Sequence, residues 1–195
     1  MVGWNALGVA AIVAALLAAH GLNEAGVRAA VRATARTSFL LFLAAFSASA
    51  LHRLFPGRAT RFLLKNRRYL GVSFAASHAF HFGGLAALAS IVGDRFWKEN
   101  PAPIVIGGGL GFAFIFAMAA TSFDSTAAFI GPRRWRLLHT AGVHYLWAIF
   151  TFDYVGMTLA KSPAYAPLAL LAAIAMALRI GARLRAPSPA PERAD

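Results

Sequence analysis

The sequence predicts an all-α fold of the polytopic membrane class, a six-transmembrane-helix bundle. Three observations carry that prediction. Hydrophobic residues make up 59% of the 195-residue chain and charged residues only 13%, against about 25% charged in an ordinary soluble domain. Mean hydropathy is +0.62. The apolar residues fall into six runs, each near the about 20 residues that a spanning helix needs. So few charges cannot cover a water-facing surface, and membrane lipid is the expected surrounding.

The first run covers residues 4–22. No basic residue precedes it and no persuasive cleavage site follows, so it reads as a retained helix rather than a removed leader. The second covers residues 38–54 and stops before Pro56-Gly57; the third covers 69–92. The fourth, 104–122, starts just after Pro101 and Pro103 and contains the stretch GGGLG (Gly107 to Gly111). Inside an apolar run those glycines read as a site of close helix packing rather than a phosphate loop. Gly131-Pro132 and Ser162-Pro163 punctuate the entries to the fifth run, 137–159, and the sixth, 164–180. Residues 1–182 are thus expected to form one transmembrane domain, and 183–195, rich in proline, a disordered cytoplasmic tail.

Orientation follows from the basic residues. Thirteen of the nineteen lie in residues 53–68, at Arg133, Arg134 and Arg136, or after Leu178. The positive-inside rule then places both termini in the cytoplasm of a bacterial inner membrane. It also accounts for the net charge of +12 without a nucleic-acid partner. The chain has no cysteine, which excludes disulfides, iron–sulfur clusters and thiolate metal sites.

Four of the six histidines, His78, His81, His139 and His144, lie in the third and fifth runs. An ionisable side chain in hydrocarbon is costly unless it faces the bundle and finds a partner. Imidazoles on facing helices suit the two axial positions of a b-type haem, which needs no covalent cysteine. His78 and His81 share a helix face. At a rise of about 1.5 Å per residue, His78 and His144 match best in depth. His139 and His144 diverge by about 140° around their helix, which argues against both serving one iron. Ser77, Ala79, Gly83, Gly84, Ala141 and Gly142 flank these positions with small side chains, an expected allowance for a macrocycle. His20 and His52 sit near helix ends and read as interfacial.

Two blocks carry a family resemblance. The first, NRRYLGVSFAASHAFHF, has a basic pair (Arg67, Arg68), then Leu70-Gly71, then His81 ten residues after the glycine. The second, TSFDSTAAFIGPRRWRLLHTAGVHYLW, contributes Thr121, Ser122, Trp135, Leu138 and His139. Together they resemble ferric reductase-like transmembrane domains, a family that includes the haem-binding membrane subunit of a periplasmic methionine sulfoxide reductase system. The resemblance covers about residues 67–147. It implies that His81 and His139 ligate haem iron, with His78 and His144 as further candidates and one or two b-type haems. It also implies electron transfer across or within the membrane as a component of a reductase. The family usually has another histidine thirteen residues after the Leu-His one, a place held here by Phe152, so haem count and pairing stay open.

Arg68 and Arg134 are candidate contacts for haem propionates. With no glycine fingerprint and no length for a flavin or nicotinamide domain, a separate electron donor (a flavin reductase or quinone) and a separate acceptor are the expected partners, beside membrane lipid. This chain is then the electron-transfer subunit of an oxidoreductase rather than a complete enzyme. The competing reading is a haem-free structural or assembly subunit whose histidines only bond helix to helix. A proton-coupled transporter built on Asp153 would need further intramembrane acids that the sequence lacks.

Overall fold

The computed structural model describes residues 1–185. They form the helices α1 (Val2–His20), α2 (Glu24–Leu54), α3 (Arg58–Lys65), α4 (Arg67–Val92), α5 (Asp94–Glu99), α6 (Ala102–Ala120), α7 (Asp124–Ile130), α8 (Pro132–Ala160) and α9 (Ala166–Leu184), with a 3-10 turn at Pro163–Tyr165. No strand occurs among the described residues. The fold is the all-helical membrane bundle that the sequence predicts. Among the described residues five elements are long and apolar enough to cross a membrane: α1, α2, α4, α6 and the stretch Pro163–Leu184. The sixth expected span lies in α8, which has 29 residues. Its apolar run is interrupted by His139, His144 and Asp153.

α2 is the central element. It packs against α1, α4 and α9, while α8 lies between α6 and α9. At 31 residues α2 is much longer than the expected second run. Arg28, Arg32 and Arg36, which fall between the first two apolar runs of the sequence, recur every fourth residue along its first half. That spacing keeps them on one stripe and leaves the helix unbroken. At the same end Arg28 donates to Glu24 (2.9 Å) and Glu99 (2.6 Å), and Arg95 also pairs with Glu24. α5 is thereby tied to the start of α2.

The α1–α2 connection is very tight. Gly21 takes φ 86°, a left-handed conformation that glycine tolerates best. Asn23 then caps α2, its Oδ1 accepting from the amides of Ala25 (3.0 Å) and Gly26 (3.2 Å). A Cβ on Gly26 would overlap the carbonyl oxygen of Gly21. Only glycine lets the two chains meet there.

Between lipid-surrounded helices packing must come from shape and hydrogen bonds, since lipid tails are as apolar as leucine. Both devices are present. Phe39, Phe42 and Phe46 of α2 meet Phe74 of α4 and Phe150 and Tyr154 of α8. Ring separations run from 4.7 Å (Phe39–Tyr154) to 5.4 Å (Phe42–Phe74), within the range of attractive aromatic pairs. Ser38 and Ser77, both fully buried, share a 2.9 Å hydrogen bond between α2 and α4. Asn5 of α1 donates to Ser73 of α4 (2.9 Å).

The glycine stretch behaves as the sequence suggests. Gly107 and Gly111 face Tyr145, Leu146 and Ile149 of α8, and the Tyr145 hydroxyl donates to the Gly107 carbonyl at 2.8 Å. The expected tail begins inside α9, which continues to Leu184; residues 186–195 lie outside the described residues.

Candidate cofactor-binding site

α4 and α8 carry the four candidate histidines on helices that meet through side chains such as Phe74 and Phe150. His78 and His81 come together, their rings 4.9 Å apart. His78 is buried among Phe74, Phe112 and Phe150, with ring separations of 5.4, 4.9 and 5.9 Å. Its Nδ1 is buried without a hydrogen-bond partner among the described residues. Such an orphan nitrogen is costly in a core, and marks His78 as a donor atom in need of a partner.

His81 is held differently. Its Nδ1 lies 3.1 Å from the carbonyl oxygen of Val31 and 3.4 Å from the Thr34 hydroxyl. Thr34 donates its own proton to the Ala30 carbonyl (2.8 Å). The arrangement assigns the His81 proton to Nδ1, donated to Val31, and leaves Nε2 as the lone-pair nitrogen. This is the usual support for a metal-ligating imidazole, whose second ring nitrogen donates to a carbonyl. His144 shows the same pattern, its Nδ1 2.7 Å from the Thr140 carbonyl, while its ring stands edge-on to Phe46 at 6.0 Å.

His139 explains part of the second sequence block. Its Nε2 is 3.2 Å from the hydroxyl of Thr121, and its ring stacks on Trp135 at 4.2 Å. Trp135 in turn donates to the Thr121 carbonyl (2.9 Å). Thr121 and Trp135 therefore fix the ring from two sides. The Thr121 hydroxyl donates to Ala117 (2.8 Å), so it accepts from His139 Nε2–H and leaves Nδ1 as that ring's lone-pair nitrogen.

A cavity of about 490 Å³ opens between α2, α4, α6, α8 and α9, within the usual size of cofactor sites. His139 stands in its wall, with Phe42, Phe46, Gly71, Phe74 and Met118. No neighbouring atom lies within 4 Å of a Cβ built on Gly71, so α4 leaves open space there. Lys65, Arg67, Arg68, Arg179 and Arg183 also line the cavity, and the acid among its lining residues, Asp124, is paired with Arg68 at 2.8 Å. His78, His81 and His144 lie outside this lining. A second, apolar groove of about 460 Å³ runs between α1, α2 and α4 and reaches Thr34 beside His81.

Among the other sequence candidates, Arg68 lines the cavity, whereas Arg134 is exposed and does not. The only sequence signal of Arg179 and Arg183 is a position one turn apart at the end of the last run. The small residues serve packing. Gly84 lies against Val31 of α2 and Gly142 against Met118 and Phe114 of α6, while a Cβ built on Gly83, in the wall of the second groove, would meet nothing within 4 Å. Phe152 is 75% exposed on the outer surface, so a histidine there would point away from the bundle. No group of three or more His, Asp or Glu side chains able to hold a metal ion occurs among the described residues. The donor set suits axial imidazole ligation of a macrocycle better than a side-chain metal cage.

The comparisons with known proteins agree with the resemblance read from the two blocks. The chain is similar to the haem-binding subunit MsrQ of protein-methionine-sulfoxide reductase from Azospira oryzae, 29% identical over 146 residues. The match takes in 67% of this chain and 57% of that relative, so the chain spans little more than half of its length. No family model matches the chain, and no solved structure matches it.

Proposed function

We propose that this chain is, like the relative it matches, a haem-binding subunit, and that it sits in the membrane and carries electrons within a reductase system. The haem is b-type, one or two per chain, since no cysteine is present for covalent attachment. The observation that carries the reading is the cavity between the two histidine-bearing helices, with His139 in its wall and arginines around it. His81 and His139 are the proposed ligands to iron, with His78 and His144 available for a second pairing. Arg68, which lines the cavity, is the proposed propionate contact, whereas Arg134 stands outside it.

The residues fit such a group on three counts. Lone-pair nitrogens are prepared on His81, His139 and His144 by hydrogen bonds to the other ring nitrogen. The His78 Nδ1 has no partner of its own among the described residues. Gly71 leaves open space on the α4 side of the cavity. When bound, haem supplies one-electron transfer. The chain's part is to hold the imidazoles in fixed orientations, through Val31 for His81 and through Thr121 and Trp135 for His139. The aromatic layer of Phe42, Phe74 and Phe150 keeps water from the space between the helices. Two imidazoles per iron leave no open coordination position, which favours electron transfer over oxygen chemistry.

With both termini in the cytoplasm of a bacterial inner membrane, the cavity opens toward the arginine-rich cytoplasmic side. A separate donor, a flavin reductase or quinone, delivers electrons there, and a separate acceptor takes them. The test is an absorption spectrum of the purified protein before and after dithionite. A Soret band that shifts on reduction, and is lost in His81→Ala and His139→Ala, supports the proposal. The same spectra of His78→Ala and His144→Ala settle the pairing. A colourless protein, with all four variants folded, would leave the haem-free scaffold.

A further inference from the structure

The structure assigns Arg179 of α9, together with Arg67 of α4, to holding a carboxylate edge of the planar cofactor in the cavity. The inference rests on the haem reading above and adds Arg179, which the sequence reading left as a topological charge, to Arg67 of the first sequence block.

Arg179 lines the cavity from the second half of α9. Its guanidinium lies 4.2 Å from the centre of the Phe46 ring, and Nη1 donates to the Phe46 carbonyl at 2.8 Å. Its Nε is buried without a partner, and no acid pairs with Arg179 among the described residues. A guanidinium stays charged under all ordinary conditions and presents five donors in a planar fork. Buried charge is tolerated where an anion meets it.

The surroundings make the demand stronger. Arg67 and Arg183 line the same cavity, and the lining acid, Asp124, is engaged by Arg68. Among the described residues Arg67 makes one side-chain hydrogen bond, its Nη1 donating to Ser49 at 2.6 Å, so further donors of its fork remain. Like charges gathered around an apolar, aromatic-walled space fit a flat ligand that carries its own negative groups. The two propionates of iron protoporphyrin IX are such groups, and arginine grips a carboxylate with two parallel hydrogen bonds. An anionic lipid headgroup offers the same charge from a different source, and the test separates the two.

The full chain, produced in haem-starved cells, is titrated in detergent with ferric protoporphyrin IX and with its dimethyl ester, following the Soret band. The free acid is expected to bind about tenfold or more tighter than the ester. Arg179→Gln and Arg67→Gln are expected to lose that preference, Arg179→Lys to keep part of it, and Arg58→Gln, on the exposed α3, to keep it whole. Equal affinity of the wild-type chain for acid and ester, whatever anionic lipid co-purifies, overturns the inference and leaves the haem reading intact. Failure of both compounds to give a Soret band removes the haem reading itself, and this inference with it.

Discussion

A methyl group at position 84 would sit 2.8 Å from Cγ2 of Val31, where α4 meets α2 one turn beyond His81. Ordinary carbon contact begins at about 3.5 Å, so Gly84→Ala must push the two helices apart by about 0.7 Å or turn Val31 out of its rotamer. The same residue, Val31, holds Nδ1 of His81 through its carbonyl at 3.1 Å. Adding the full displacement would stretch that contact to about 3.8 Å, outside hydrogen-bonding range. Overpacking of this kind costs about 1–3 kcal/mol, and loss of a supporting contact typically weakens metal binding about tenfold or more. Gly83→Ala is the built-in control. It lies on the same helix with nothing within 4 Å of its Cβ, so it reports the small gain alanine brings to any helix interior. Thermal melting followed by Soret absorbance, on both variants in one detergent, reads the two effects together. Identical melting and identical spectra for the two variants would refute the proposed coupling of helix spacing to the His81 ring.

Further expectations concern the polar contacts inside the bundle. Thr121→Val leaves His139 Nε2 without its acceptor and frees the ring; the expected result is a broadened or shifted haem spectrum with only a modest fall in thermal stability, measured on the same sample. Ser77→Ala should cost about 1–3 kcal/mol, because it strands the buried Ser38 hydroxyl. The Ser38→Ala, Ser77→Ala double variant should recover part of that loss in a denaturant or thermal cycle. His78→Phe removes the orphan nitrogen and so should raise the melting temperature of the haem-free chain, while lowering the haem retained if His78 is an axial ligand. Tyr145→Phe, which loses the bond to Gly107, should cost about 0.5–1.5 kcal/mol by the same melting assay.

Apolar run length made most of the architecture legible, because in lipid a helix is the simplest way to satisfy every backbone polar group within one segment. The boundaries were less so. α2 carries three arginines before its apolar run, and a reading based on hydropathy alone stops at charge. Their fourfold spacing is the signal that the helix continues. The candidate histidines were legible as costly residues in costly places, but their partners were not. Val31 and Thr34 lie about 50 residues from His81, at separations of 50 and 47, and nothing in either stretch marks the contact. Thr121 and Trp135 stood out by resemblance, and the structure supplies the physical reason: one bonds the His139 ring and the other stacks on it. Arg179 was hidden because a basic residue after the last run is already explained by topology. Its burial against Phe46 depends on how α9 packs on α2, which no local pattern encodes.

The turn at Gly21 and Asn23 bears on how the protein is made. Two segments joined so closely, with backbone touching backbone at Gly26, cannot reach their final pairing one at a time from distant positions. They are best inserted by the translocation machinery as a single helical hairpin, the polar start of α2 crossing in the company of its apolar neighbour. A bulkier side chain at position 26 would then show itself first as failed membrane insertion during synthesis, before any loss of cofactor in the finished protein.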